Sequence, residues 1–508
     1  MQPVTQAVLR SWSIPPAATF ALVLSALIYV RGWWPLRRVG SPNIPPWRAA
    51  TFLLGLLTLW VALASPMDVF NSFVLTAHML QHMLLMMVAP PLILLGAPLV
   101  PMVRGLPIFA AREFAGPFLN WSVAKRVGSA LTNPVFAVLL MGVTMFAWHT
   151  PVLYELALRS PAWHQTEHAC FLVASLIFWW PLVQPWPSRA QWPRWAMVPY
   201  LLVADLQNTA LSAILAFSDR VIYPSYSTVP RLFHFSALED QVAAGAIMWV
   251  VGSLAFVVPA IVIAVECLSS KPLRKPLRAG IATAGPRQTS SFDSLPQEIL
   301  YLNRFVSVRW RGRPTEAVSF LLLFVVACLC LAWLLPSSSN DDDNQVLRYE
   351  DVSPSLTVAV FAPPGSLPAG SSQFVVLVQN RSTQETLLDT KVGLTAQPAN
   401  NSRGLSATAT ASHEDSENKL LQAADLYLPT EGEWTVHITV HREAISHDFP
   451  LALRVTKPDA GGASRWPYLA ILLFTATLLF AYVWRHRALG SLRFVRVCIT
   501  DGPRRGRH

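Results

Sequence analysis

Charged side chains make up only 13% of this 508-residue chain, about half their share in a soluble domain. With 53% hydrophobic residues, nineteen tryptophans and a mean hydropathy of +0.40, that scarcity excludes a purely soluble enzyme or a disordered scaffold. Cysteine is scarce too. There are five, and none falls in the long polar stretch 336–465, so that stretch has no disulfide framework and must be held by its own core. The phosphate-binding glycine loop, the GxSxG elbow, the HExxH zinc motif and the CxxCH haem-attachment motif are absent, so a nucleotide-driven pump or a hydrolase lacks support. Residues 1–16 lack the charged start and cleavage site of a secretory signal and are expected to be retained.

What is present is apolar sequence in blocks of about 20 residues, the length of a membrane-crossing helix. Nine blocks qualify: 17–33, 49–65, 73–95, 133–150, 166–184, 196–217, 240–266, 318–335 and 466–484. The formal charge of +10 is unevenly placed. Residues 336–465 hold nine Lys/Arg against sixteen Asp/Glu, so the basic excess belongs to the membrane part and calls for no nucleic acid. Scored over alternate loops, one side carries twenty-six Lys/Arg and the other only four once 336–465 is set aside. The positive-inside rule then puts the N-terminus outside, the C-terminus in the cytoplasm and 336–465 on the extracytoplasmic side.

The expected fold class is an all-α polytopic membrane protein, a seven-helix core plus two further spans, with an extracytoplasmic all-β sandwich. The divisions are a seven-helix domain (1–266), a basic linker (267–317) lying against the bilayer, an eighth helix (318–335), the β domain (336–465), a ninth helix (466–484) and a basic cytoplasmic tail (485–508). The sandwich is read from alternating runs such as LTVAVFAP, QFVVLVQN and EWTVHITVH between Pro/Gly/Asn turns.

Histidine carries the main functional signal. Six of the twelve, His78, His82, His149, His164, His168 and His234, belong to the seven-helix part, and all fall at or near its expected outer surface. In HMLQH the imidazoles of His78 and His82 are four residues apart and share a helical face, which Met86 extends by another turn. His164 and His168 repeat the spacing. Imidazole with thioether suits copper, and thioether favours Cu(I). Asp205, near the middle of the sixth span, is read either as a relay residue or as an acid bonded to a neighbouring helix. Asp68 is a candidate to orient an imidazole. Asp240, with Glu239, is read first as a helix-start residue and second as part of the site. Cys328 and Cys330 point to opposite sides of a helix, and His437 and His441 share a strand face turned to solvent.

The stretches SPMDVFNSFVLTAHMLQHMLLMMVAPPLILLGAP, WHTPVLYELALRSPAWHQTEHACFLVASLIFWWP and LEDQVAAGAIMWVVGS resemble the multi-span CtaG family of cytochrome c oxidase assembly proteins, over about residues 47–266. The resemblance implies a seven-helix factor for haem–copper oxidase maturation that handles copper on the outer side. It carries His78, His82, His149, His164, His168 and Asp240 as the matching positions. The β domain with its following helix loosely resembles the YtkA or FixH group, mainly in LYLPTEGEWTVHITV. The resulting expectation is a non-enzymatic assembly factor in a bacterial cell membrane. It would bind or deliver copper and meet oxidase subunits or copper chaperones on the extracytoplasmic side. A copper channel and a haem-b redox protein remain as alternatives, because the same imidazoles serve all three.

Overall fold

Proline opens most of the long helices, because a residue without an N–H loses nothing at a position where that donor has no partner anyway. In the computed structural model this holds for α1 (Pro16–Arg38), α2 (Pro46–Ala64), α4 (Pro134–Trp148), α5 (Pro151–Arg159) and α6 (Pro161–Val183). The other principal helices are α3 (Leu75–Leu95), α7 (Met197–Ala216) and α8 (Ala237–Leu268). The structure describes residues 3–269, except 189 and 234, and 346–456, except 354, 364–366, 400–405 and 443–444. The expected spans at 318–335 and 466–484, almost all of the linker, the tail, Cys328, Cys330 and His234 lie outside the described residues.

Six described helices are long and apolar enough to cross a membrane, and α4 with α5 makes a seventh, bent by 68°. They fall on the seven apolar blocks expected in this region. The bend follows from WHTP. Pro151 disfavours helical backbone at Thr150, which adopts ψ 139°, so α4 ends at Trp148 with His149 as its cap and α5 starts afresh. Within α3, Leu84–Val88 forms a π-helical turn ahead of Pro90 and Pro91. Pro90 cannot donate to the Met86 carbonyl four residues back, and the Trp179 indole donates to it instead, at 2.9 Å.

α3 and α6 are the central helices, about two-thirds buried along their apolar stretch, whereas α1, α2, α7 and α8 are mostly unburied along theirs. On the far side from the β domain, Gly32 and Gly105 let α1 and the short helix Leu99–Gly105 touch backbone to backbone. A Cβ at Gly32 would lie 1.8 Å from the Pro101 carbonyl oxygen.

The β domain is a two-sheet sandwich. Its strands are β1 (Val346–Val352), β2 (Leu356–Ala362), β3 (Leu367–Pro368), β4 (Gly370–Asn380), β5 (Lys391–Pro398), β6 (Ala407–Ala411), β7 (Gln422–Leu428), β8 (Gly432–Arg442) and β9 (Ile445–Thr456). One sheet runs β1-β2-β4-β7 and the other β3-β9-β8-β5-β6. All pairings are antiparallel except the short β3–β9 pair. Val358, Val360, Phe374, Val376, Val436, Ile438 and the fully buried Trp434 fill the space between the sheets.

The outer face of the four-stranded sheet is apolar as well, and it rests on the membrane domain. Ala359, Phe361, Val375, Leu377 and Ala423 join Phe70, Phe73, Ala77, Leu232 and residues of the helix Pro3–Arg10 in one cluster. Phe73 meets Phe361 edge to face at 5.7 Å, Gln379 Nε2 donates to the Arg231 carbonyl at 2.6 Å, and the Lys419 amide donates to Ser11 Oγ at 2.9 Å. The sandwich therefore sits at the end of the bundle where α3 begins.

Candidate metal centre

α3 and α6 start at the same end of the bundle and run side by side, each presenting two imidazoles one turn apart. The upper pair, His78 and His164, has ring centroids 5.1 Å apart; the lower pair, His82 and His168, 5.4 Å. His78 Nε2 and His82 Nε2 face each other at 3.0 Å. His149 enters from the end of α4, with its centroid 6.2 Å from that of His82. The structure thus brings five of the sequence-selected histidines into one buried cluster.

Its sixth member, Glu167, was passed over in the sequence. Fully buried on α6 between the two histidine layers, it places Oε2 3.6 Å from His78 Nε2 and 3.9 Å from His82 Nε2. A signal for it existed, since a carboxylate inside an apolar span is costly and by default functional. Glu167 falls inside the fifth apolar block, between the two histidines of HQTEH.

The cluster has ligand atoms to spare. His82 Nδ1, the Nε2 atoms of His149, His164 and His168, and both Glu167 oxygens are buried without a hydrogen-bond partner, and groups of this kind ordinarily find one. Two sets converge within 4.8 Å: His78, His82 and His168, and His78, His164 and Glu167. Three ligands around an ion at about 2 Å would sit about 3.5 Å apart, so small side-chain movements suffice. Ring orientation favours coordination as well. His149 Nδ1–H donates to the Met145 carbonyl at 2.8 Å, which leaves Nε2 as a lone pair. Tyr226 gives its single proton to the Asn71 carbonyl at 2.7 Å, so the 3.4 Å contact with His78 Nδ1 works with Nδ1–H as donor and frees His78 Nε2. Burial holds the Tyr226 phenol well above its ordinary pKa, which keeps it neutral. Tyr154 packs beside His78, stacks on Tyr223 at 3.9 Å and closes the same wall.

The remaining candidates are not members of the two converging ligand sets. Asp240 reaches from α8 to the start of α3, accepting from the amides of Leu75 (2.7 Å) and Thr76 (3.0 Å) and from the Thr76 hydroxyl (2.6 Å). It lies in the first turn of α8, as read from the sequence, and also caps the start of the histidine-bearing helix, while Glu239 forms a capping box with Ser236 on α8. Asp68 accepts from Gln81 Nε2 at 2.6 Å and so fixes the residue between the two α3 histidines. Asp205 accepts from Ser253 on α8 at 2.7 Å. Met86 is buried in the π-helical turn. His437 pairs with Asp448 at 2.8 Å on the solvent side of the sandwich.

Residues 27–270 match the family model described as cytochrome c oxidase caa3 assembly factor, a longer stretch than the 47–266 of the resemblance. Uncharacterized proteins of Mycobacterium bovis and Mycobacterium tuberculosis are each 28% identical over 258 residues, covering 49% of this chain and 38% of theirs. One of Mycobacterium leprae is 25% identical over 242 residues, covering 47% and 36%. The chain thus spans under two-fifths of the length of the curated relatives it matches.

Proposed function

We propose that this protein, whose residues 27–270 match the family model described as cytochrome c oxidase caa3 assembly factor, holds a copper ion as cargo for oxidase maturation. One observation carries this reading: five imidazoles and one carboxylate come together in a buried cluster in which six ligand atoms have no hydrogen-bond partner. The site lies directly under the β domain, on the side that the charge distribution assigns to the extracytoplasmic space. Oxidase subunits or copper chaperones would exchange the ion there.

The donor set fits copper. Neutral imidazoles bind it in either oxidation state, and the second nitrogens of His78 and His149 are anchored by hydrogen bonds that orient the rings. The packing favours a small ion over a haem. A macrocycle clasped by two imidazoles needs an open slab between them, whereas these rings touch at centroid distances of 4.2–5.4 Å.

Copper and haem content of detergent-purified protein tests the proposal, with a His78→Ala/His82→Ala variant alongside. Near-stoichiometric copper that is lost in the variant, without a Soret band, is the expected result. Haem without copper, or no copper after anaerobic Cu(I) loading, would sink it.

A further inference from the structure

The two converging ligand sets share one residue, His78. A neutral imidazole has a single free lone pair, and here Nδ1 faces Tyr226, so only Nε2 is available. His78 therefore serves one ion at a time, and filling one set strips the other of its shared ligand. Resting on the copper reading above, we propose that the cluster offers one ion two mutually exclusive positions selected by its oxidation state. The lower, all-imidazole position (His78, His82, His168) takes Cu(I), and the upper, carboxylate-bearing position (His78, His164, Glu167) takes Cu(II).

The assignment follows from charge and donor type. Three neutral nitrogens suit a monovalent ion of low coordination number, while mixed nitrogen and oxygen donors suit the harder divalent ion. Glu167 is fully buried, and among the described residues no Lys or Arg pairs with it. A buried carboxylate gains most from the higher charge. The layers are one helical turn apart on two parallel helices, so moving between them requires only that His78 turn its ring while His164 and Glu167 let go and His82 and His168 take hold. His149 Nε2, buried and unpartnered beside His82, stands ready to add a fourth nitrogen to the lower position.

The test loads full-length protein in detergent with Cu(I) under anaerobic conditions and, separately, with Cu(II). Copper per chain is counted, affinities are measured by competition, and ligand type is read by X-ray absorption and, for Cu(II), by electron paramagnetic resonance. The wild type should bind one copper per chain in either state. Glu167→Gln, which keeps the shape of the side chain, should weaken Cu(II) by about tenfold or more and leave Cu(I) within about threefold. His168→Gln should do the reverse, and His78→Ala should weaken both. Melting temperatures close to wild type identify variants that remain folded. Two coppers per chain, or equal losses of both oxidation states in Glu167→Gln and His168→Gln, would overturn the two-position scheme while leaving a copper site standing. No copper in the wild type would overturn both proposals.

Discussion

Asp240 has the widest reach of any single side chain near the cluster. Its carboxylate, 1% exposed, satisfies two amides at the start of α3 that would otherwise lack partners, and it does so from α8. Hydrogen bonds to a charged group contribute roughly 1.5–3 kcal/mol each, so Asp240→Ala should be strongly destabilising. It should lower the melting temperature and weaken copper binding without removing a ligand, and Asp240→Asn, which keeps one acceptor, should fall in between. Thermal unfolding and copper competition on the same samples check both effects. The histidines were legible at this scale because their four-residue spacing announces a shared helical face. Glu167 was not recognised, although the rule that singled out Asp205 applies to it with more force. The roles of Tyr226 and Asn71 were beyond reach, since they depend on contacts between residues 148 and 155 positions apart in the chain.

Among the elements, α7 and α8 are matched through small residues. Asn208 donates to the Met248 carbonyl at 3.1 Å, and its amide lies against Gly252. A Cβ at Gly252 would come within 2.4 Å of Asn208 Nδ2. In an ordinary helix Gly→Ala stabilises by about 1 kcal/mol; here Gly252→Ala should instead lower the melting temperature, and pairing it with Asn208→Ala should recover part of the loss. Helix positions were readable because an apolar run of membrane length has few other fates, and the break after α4 is visible in WHTP. The strands were harder. LTVAVFAP was read as an alternating run, yet all seven β2 residues are buried. A nearly continuous apolar strand is the mark of burial on both faces, and only the docked membrane domain supplies the second cover.

For the whole molecule, that docking joins two regions separated by 76 residues of sequence into one structure over the end of the bundle where α3 begins. Phe361 is its centre, with Phe73 against it and Ala77, the neighbour of His78, in the same cluster. Phe361→Asp places a charge in that contact and should release the sandwich without unfolding it, because the core around Trp434 lies between the sheets. Faster proteolysis around Ser11 and Lys419, with the sandwich still resistant, is the expected readout. Undiminished protection there would mean that the interface does not depend on this ring. The sequence placed the β domain and the histidines on the same side by counting charges, but side alone does not reveal contact.

The capping of α3 from a distance also bears on anyone who would borrow this centre. HMLQH and HQTEH are short enough to copy onto two helices of an unrelated bundle, and the copy would supply the nitrogens. It would not supply their bearing, because the rotation of α3 is set by a carboxylate from α8, and the ring of His78 by a phenol and a carbonyl from two loops. A transplant would have to carry at least Asp240, Tyr226 and the turn at Asn71 to keep the imidazoles pointed at a common spot.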